Sequence, residues 1–354
     1  MPVTTKILGE TKNKETVKLY LLENKNGVKA GITDLGAIWI NLWTPDRDGN
    51  FADVVLGYDT IEALSVNEGH LGAIVGRNAN RIGKASFSLQ GKTYQLKANN
   101  GENNLHSGPD CLEYRMYAAE IASEEPAAVT FSLKSPEGDQ GYPGEMDIAV
   151  TYQLTDDNAL HIRYELAAHS ADTLANFTNH AYFNLGGHAS GTILDELLWI
   201  DADAITAGGA DSIPHGELIQ VEGTAFDFRT PKAIGRDINA NEQELFYAKG
   251  YDHNFCLNHK PFGAPDLVAS AVDPKSGRKM DVLTDMPGIQ FYAGNCLHPA
   301  AAGKDGVHYA PRGGFALETQ YYPNAINVPA FAQPVLRAGE KKIFETIYRF
   351  GLAE

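Results

Sequence analysis

Residues 17–32 read VKLYLLENKNGVKAGI, two runs of alternating apolar and polar residues on either side of an Asn-Gly pair. Successive side chains of a strand point to opposite faces, so such alternation predicts strands with one buried face. Asn26-Gly27 between two such runs is the strongest short-range signal for a β-hairpin. The stretch therefore predicts two antiparallel strands joined by a turn.

The same period of two continues along the chain. Further strands are predicted at residues 37–43, at 87–89 paired with 94–96, and at 129–133, 148–154 and 160–166. Helical periodicity is scarce, and short helices are predicted only near residues 60–64, 72–80 and 241–247. Because no long amphipathic helix alternates with the strands, a βαβ architecture is disfavoured. We predict an all-β fold, a large antiparallel β-sandwich with a few short helices.

The length of the chain allows either one large β domain or two ordinary domains. It has 354 residues, of which 43% are hydrophobic and 21% charged, as in soluble globular proteins. We find no internal repeat and no low-complexity linker, and the polar stretch at residues 135–144 is typical of a long loop. We therefore predict a single domain over residues 1–354.

Charge and cysteine content exclude several classes of function. The chain has 45 acidic against 29 basic residues, a formal charge of −16. Such a surface repels nucleic acid and anionic membranes, so neither is an expected partner. The chain has no apolar stretch long enough to span a membrane and no secretory h-region. Cys111, Cys256 and Cys296 form no CxxC pair, which argues against a disulfide framework and a cysteine zinc site. We expect a cytoplasmic protein.

A histidine and a glutamate stand in unusual surroundings for sandwich strands. His180 lies in the aromatic segment FTNHAYFNL, residues 177–185. Its ordinary explanation is a core histidine bonded to the backbone, and its functional one is a general acid titrating near neutral pH. Glu318 interrupts an apolar run, which places it at an exposed strand edge or in a site. Partial burial would raise its pKa and suit it to general base catalysis.

Other polar residues have ordinary explanations of similar weight. Arg81 is either a surface cation or a clamp for substrate oxygens, Asp252 suits a turn, and His106 suits an exposed loop. His106, His180, Asp252 and Glu318 could converge on a metal ion. The chain contains no HExxH, HxH or paired cysteine spacing, so the sequence offers no support for that alternative.

Six segments together resemble the aldose 1-epimerase family, the galactose mutarotases. They occur in the family's order and at similar spacing, and the resemblance extends from about residue 17 to residue 350. The segments are NRI (80–82), NNLH (103–106), TNHAYFNL (178–185), YDHNF (251–255), PGIQFY (287–292) and LETQ (317–320).

The resemblance implies a fold, a reaction and a set of site residues. It implies a large β-sandwich of the galactose mutarotase type with an open sugar-binding cleft, and an enzyme that needs neither metal nor nucleotide. Glu318 matches the catalytic base of the family and His180 its catalytic acid. The residues that match positions holding the sugar or assisting at the reacting centre are Asn80, Arg81, His106, Asp252 and Gln290.

The implied reaction interconverts the α and β anomers of a free aldose by opening and reclosing its ring. Glu318 would take the proton of the C1 hydroxyl while His180 gives one to the ring oxygen. After rotation about C1–C2 the two residues exchange roles. The ordinary pKa values, about 4.3 for Glu and about 6.5 for His, predict a bell-shaped pH dependence between them.

Several alternatives remain open. A hexose-phosphate 1-epimerase on the same scaffold would need two or more cations for the phosphate, and Arg77 and Arg81 are candidates. A non-catalytic carbohydrate-binding protein would bind sugar without accelerating anomer exchange, because a fold does not imply a function. A metal-dependent sugar isomerase is a third alternative. Which aldose or reducing disaccharide is preferred, and whether the protein is a monomer or a homodimer, cannot be determined from the sequence.

Overall fold

The structure, a computed structural model, describes residues 2–353. Over these residues it contains 28 strands and two α-helices, numbered in chain order. The strands of the first half are β1 (Val3–Glu10), β2 (Thr16–Glu23), β3 (Lys29–Thr33), β4 (Trp39–Pro45), β5 (Phe51–Asp53), β6 (Ile74–Val75), β7 (Arg81–Ile82), β8 (Ser86–Leu89), β9 (Lys92–Gln95), β10 (Asn104–Leu105), β11 (Ala118–Glu124), β12 (Ala127–Ser135), β13 (Met146–Leu154) and β14 (Ala159–Ala168).

The strands of the second half are β15 (Thr173–Leu174), β16 (Thr178–Asn179), β17 (Tyr182–Phe183), β18 (Leu197–Ile200), β19 (Ala202–Thr206), β20 (Leu218–Gln220), β21 (Lys232–Ala233), β22 (Asp252–Leu257), β23 (Asp266–Val272), β24 (Arg278–Thr284), β25 (Gly288–Tyr292), β26 (Phe315–Gln320), β27 (Val335–Leu336) and β28 (Lys341–Leu352). The helices are α1 (Ile61–Val66) and α2 (Gln243–Ala248). Among residues 2–353, no helix has the length and apolar character needed to cross a membrane.

Three antiparallel sheets form two layers. The first layer is a nine-stranded sheet with the order β11-β12-β13-β14-β28-β24-β23-β18-β21. The second layer combines a five-stranded sheet, β1-β2-β3-β4-β5, with a six-stranded sheet, β17-β26-β25-β22-β19-β20. A bridge between Val55 and Phe183 joins these two sheets. The prediction of a large antiparallel β-sandwich is confirmed.

The core lies between the two layers and follows the alternation of the strands. In β14, Leu160, Ile162 and Tyr164 are buried, whereas Arg163 and Glu165 between and after them are exposed. The second layer meets β28 through the Tyr348 hydroxyl, which donates to the carbonyl oxygen of Leu317 at 2.9 Å. One continuous apolar cluster contains residues from Val3 to Phe350.

The hairpin predicted around Asn26-Gly27 is present as β2 and β3, with a longer connection than two residues. The register pairs Glu23 with Lys29, and Gly27 has a φ of +78°. The Asn24 side-chain oxygen accepts the N–H groups of Asn26 at 3.0 Å and Val28 at 3.1 Å. An Asn side chain that replaces backbone partners in this way stabilises the wider turn.

Two of the three predicted helices are correct and one is wrong. α1 and α2 lie where residues 60–64 and 241–247 predicted them. Residues 72–80 instead contain β6, in which Ile74 and Val75 pair with Asn179 and Thr178. Pairing with a distant strand satisfies the backbone groups that a helix would have used, and this tertiary contact overrides the local preference.

Candidate active site

Three neighbouring strands of the six-stranded sheet align polar residues in one row. Asn254 of β22 lies opposite Gln290 of β25, and Gln290 lies opposite Glu318 of β26. Opposite residues of antiparallel strands point to the same face, and so do residues two apart along one strand. Asp252 therefore shares this face with Asn254. The alternate residues, such as Phe291, belong to the core cluster.

His180 reaches the same place from a different pair of strands. Hydrogen bonds continue the pairing of β6 and β16: the His180 N–H donates to the Ala73 oxygen at 2.8 Å, and the His180 oxygen accepts from the Gly72 N–H at 3.0 Å. Its Nε2 lies 3.5 Å from Oε1 of Glu318. The two side chains are only 6% and 3% exposed, so they form a buried pair.

His106 stands beside this pair on the loop that follows β10. Its N–H donates to the Asn80 oxygen at 3.1 Å, and its Nδ1 accepts the Asn80 N–H at 3.2 Å. Because Nδ1 is an acceptor here, neutral His106 carries its proton on Nε2. The ring centroids of His106 and His180 lie 5.3 Å apart. Asn80 and His106 thus hold each other in place.

The remaining predicted residues are also fixed by side-chain hydrogen bonds. The Gln290 amide donates to Oδ1 of Asp252 at 2.7 Å. Nε of Arg81 donates to Oδ1 of Asn100 at 3.1 Å. The terminal nitrogens of the Arg81 guanidinium have no protein partner among residues 2–353. Arg81 therefore has donors available for a ligand.

A cleft lined mainly by polar side chains adjoins these residues. Four of the predicted site residues are in its lining, namely Asn80, Arg81, Asp252 and Gln290. The buried pair meets the cleft through Gln290, which lies opposite Glu318 on the neighbouring strand. The structure thus brings together all seven residues named from the sequence.

Burial controls the protonation of the buried pair. Burial, followed by the nearby negative charge of Asp252, raises the pKa of Glu318 well above its usual value, and Arg81 opposes this only in part. Burial and the positive charge of His70 lower the pKa of His180 to about 3. Burial also holds the pKa of His106 well below its usual range. Loss of water disfavours every charged form here, so the pair favours a protonated carboxyl and a neutral imidazole.

The structure also places three of the four residues of the metal alternative together. Ligand atoms of His106, His180 and Glu318 all lie within 4.8 Å of one another, and Asp252 is not part of this group. Two imidazoles and one carboxylate are a ligand set that zinc accepts. The same groups can equally move protons, and the two roles differ in their response to a chelator.

Three residues near the site were not predicted as site residues from the sequence. Asn254 and Gln320 lie two residues from Asp252 and Glu318 on the same strands, so a search with a period of two would have found them. His70 has no such signal, yet its ring centroid lies 5.1 Å from that of His106 and 5.9 Å from that of His180.

Comparisons with known proteins identify relatives of this chain over nearly its whole length. A sequence profile of the aldose 1-epimerase family matches residues 18–349. The chain is 39% identical to the galactose mutarotase of Bos taurus over 338 residues, which cover 96% of this chain and 95% of the relative. It is 35% identical to the aldose 1-epimerase of Escherichia coli K12, with 94% of this chain and 95% of the relative covered.

A solved structure extends the likeness to the fold. The GalM/aldose epimerase homologue from C. elegans superposes with a TM-score of 0.86 at 31% identity, covering 95% of this chain and 99% of that chain. The chain belongs to the aldose 1-epimerase family. It is accordingly an isomerase that acts on a small carbohydrate, a mutarotase.

Proposed function

We propose that Glu318 and His180 transfer the protons of mutarotation on a free aldose, with galactose and glucose as the first candidates. The observation that carries the proposal is the 3.5 Å separation of His180 Nε2 and Glu318 Oε1 in a buried position beside a polar cleft. The C1 hydroxyl oxygen and the ring oxygen of a cyclic aldose are bonded to the same carbon. An acid and a base this close together can reach both oxygens of one sugar ring.

The chemistry consists of two proton transfers and one bond cleavage. The Glu318 carboxylate takes the proton of the C1 hydroxyl, His180 Nε2 gives a proton to the ring oxygen, and the bond between C1 and the ring oxygen breaks as the aldehyde forms. Rotation about C1–C2 exposes the other face of the aldehyde. The reverse transfers then close the ring. Each transfer is typically worth ~10²–10⁴-fold in rate.

The protonation state that burial favours is the one reached after ring opening. Opening leaves Glu318 protonated and His180 neutral. Burial raises the pKa of Glu318 and lowers that of His180, which stabilises the same state. The resting protonation state of the pair is therefore the one that accompanies the open-chain sugar. The state that starts ring opening, ionised Glu318 with protonated His180, is reached when the proton moves from Glu318 to His180.

The remaining polar residues suit a neutral polyol. We propose that Asn80, Arg81, Asp252 and Gln290 hold the sugar hydroxyls, because all four line the cleft. His106, with its proton on Nε2, would donate to an oxygen that gains negative charge as the ring opens. We also place the protein in the cytoplasm, a proposal supported by its three free cysteines.

The test is polarimetry on freshly dissolved α-D-galactose and α-D-glucose with the wild type and with Glu318→Gln and His180→Asn. We expect the wild type to accelerate the approach to anomeric equilibrium and each variant to lose ~10²–10⁴-fold of that acceleration. Glu165→Gln and His169→Asn make the same chemical changes at exposed positions and serve as matched controls. Full activity of either site variant with an intact fold would contradict the assigned roles.

Arg77, one of the two cations that the hexose-phosphate alternative requires, is not available to bind a phosphate. The Arg77 guanidinium is fully buried and donates six hydrogen bonds to Ser135, Pro136, Pro143, Gly144 and Thr173. It therefore has no donor left for a phosphate, and Arg81 alone would have to bind it. We expect no turnover of hexose 6-phosphates, measured by the same polarimetric method. A chelator control tests the metal alternative, and we expect it not to reduce the rate.

A further inference from the structure

A second group of ligating side chains lies beside the catalytic histidines. Ligand atoms of His70, Cys111 and Glu113 all lie within 4.8 Å of one another, and we refer to these three residues as the His70 cluster. Nδ1 of His70 is 2.7 Å from Oε1 of Glu113. Glu113 is 1% exposed and Cys111 is 7% exposed, whereas the His70 side chain is 26% exposed. The cluster is thus buried on one side and accessible on the side of His70.

The surroundings orient the cluster. The Asn67 amide donates to Oε2 of Glu113 at 3.0 Å, which leaves Oε1 for His70. The Cys111 thiol donates to the Gly108 carbonyl oxygen at 2.7 Å. Such outer contacts are what orients ligands in metal sites. Asn67 Oδ1 is itself buried without a hydrogen-bond partner among the described residues. A buried acceptor beside the cluster is therefore free to bind a further group, such as a water molecule on the ion.

We propose that His70, Cys111 and Glu113 bind a divalent transition metal ion of the Zn²⁺ and Co²⁺ type. One thiolate, one imidazole and one carboxylate are the ligand types that zinc accepts, and the thiolate selects against Mg²⁺ and Ca²⁺. Three protein ligands leave a fourth position for water on the exposed side of His70. The ion would replace the proton held between His70 and Glu113 and that of the Cys111 thiol, so binding is stronger at higher pH.

The cluster lies next to the group formed by His106, His180 and Glu318 and shares no ligand with it. The His70 ring lies within 6 Å of the rings of both His106 and His180, with centroid separations of 5.1 Å and 5.9 Å. Because the ion would replace two protons, its binding leaves the net charge of the His70 cluster unchanged. The proposal therefore concerns metal binding alone and does not rest on the proposed function.

Titration with Co²⁺ tests the site without any assay of activity. Thiolate-bound Co²⁺ gives a charge-transfer band in the near ultraviolet, and the group formed by His106, His180 and Glu318 contains no sulfur. We expect this band in the wild type, with saturation at one ion per chain. Cys111→Ser keeps a hydroxyl that can donate to Gly108 and should abolish the band. Cys256→Ser is the matched control and should retain it.

Two further results decide whether the His70 cluster binds the ion. His70→Gln should weaken Co²⁺ affinity by roughly tenfold or more, because it removes a ligand. Absence of the band in the wild type, or its persistence in Cys111→Ser with unchanged affinity, would overturn the site. Circular dichroism of each variant verifies its fold, and the wild-type result decides the question even where a variant fails to fold.

Discussion

Glu318 and His180 are titratable groups with almost no contact with water, and this burial controls their chemistry. In solution the carboxyl loses its proton first and the imidazole later. In the site, burial raises the pKa of Glu318 and lowers that of His180, so the order of titration is reversed. The pair still holds a single proton over a range of pH, which is the requirement for one acid and one base.

This reversal changes the pH profile expected from ordinary pKa values. The pair acquires its second proton only when His180 titrates, and the pKa of His180 is lowered to about 3. The acid limb of mutarotation should therefore lie near pH 3 and not near the ordinary Glu value of about 4.3. The alkaline limb follows the raised pKa of Glu318, at which the pair loses its last proton. Initial polarimetric rates across pH, each accompanied by a circular dichroism spectrum, measure both limbs.

An acid limb at or above pH ~4.3 in folded protein would contradict this account. It would mean that water reaches the pair and that burial does not govern its titration.

At the scale of elements, short strand pairings position His180, the proposed catalytic acid. β6 and β16 have only two residues each, yet hydrogen bonds from Gly72 and Ala73 extend their pairing to His180. Gly72 has a φ of +69°, and a Cβ built on it would lie 2.0 Å from the backbone oxygen of Trp39. Only glycine fits here, because the clash involves backbone on both sides.

Substitution of Gly72 tests this positioning. Gly72→Ala combines left-handed strain of roughly 1–2 kcal/mol with a backbone clash, so it should cost clearly more than the strain alone. Gly138→Ala is the matched control, because Gly138 has a φ of +77° and open space around its Cβ position. We expect Gly138→Ala to lose only the strain energy and to keep its activity. Urea unfolding and polarimetry measure both effects, and equal destabilisation of the two variants would contradict the argument.

At the scale of the whole molecule, strands from both ends of the chain share one core. β28, the last strand, lies in the middle of the nine-stranded sheet between β14 and β24. The apolar cluster between the layers contains Val3 of the first strand and Phe350 of the last. A chain whose final strand completes its largest sheet offers no point at which two independent cores separate. We therefore propose that residues 1–354 form one domain.

One domain predicts one cooperative unfolding transition. Trp39 lies in the five-stranded sheet and Trp199 in the nine-stranded sheet, so tryptophan fluorescence reports on both layers. Fluorescence and far-ultraviolet circular dichroism should give coincident urea curves with a single midpoint. Two separated transitions, or curves that differ between the probes, would indicate two domains.

Local pattern was enough to predict several strands of the first half of the chain and the fold class. Alternation identified the hairpin of β2 and β3 and the long strands β12, β13 and β14. Successive side chains of a strand point to opposite faces, so this pattern can be recognised from neighbouring residues alone. It failed at residues 72–80, where the partner strand β16 is far away in the chain. The seven site residues were found by their resemblance to a family, since each has an ordinary explanation when taken alone.

The sequence by itself determined that this is a β-sandwich with the residues of an aldose 1-epimerase, because periodicity and motifs are properties of neighbouring residues. Only the tertiary structure decided that His180 and Glu318 lie 3.5 Å apart and lose nearly all contact with water. It alone placed His70, with Glu113 beside it, next to His106 and His180. Distance, burial and charge depend on which strands pair, and this pairing joins segments that are far apart in the chain.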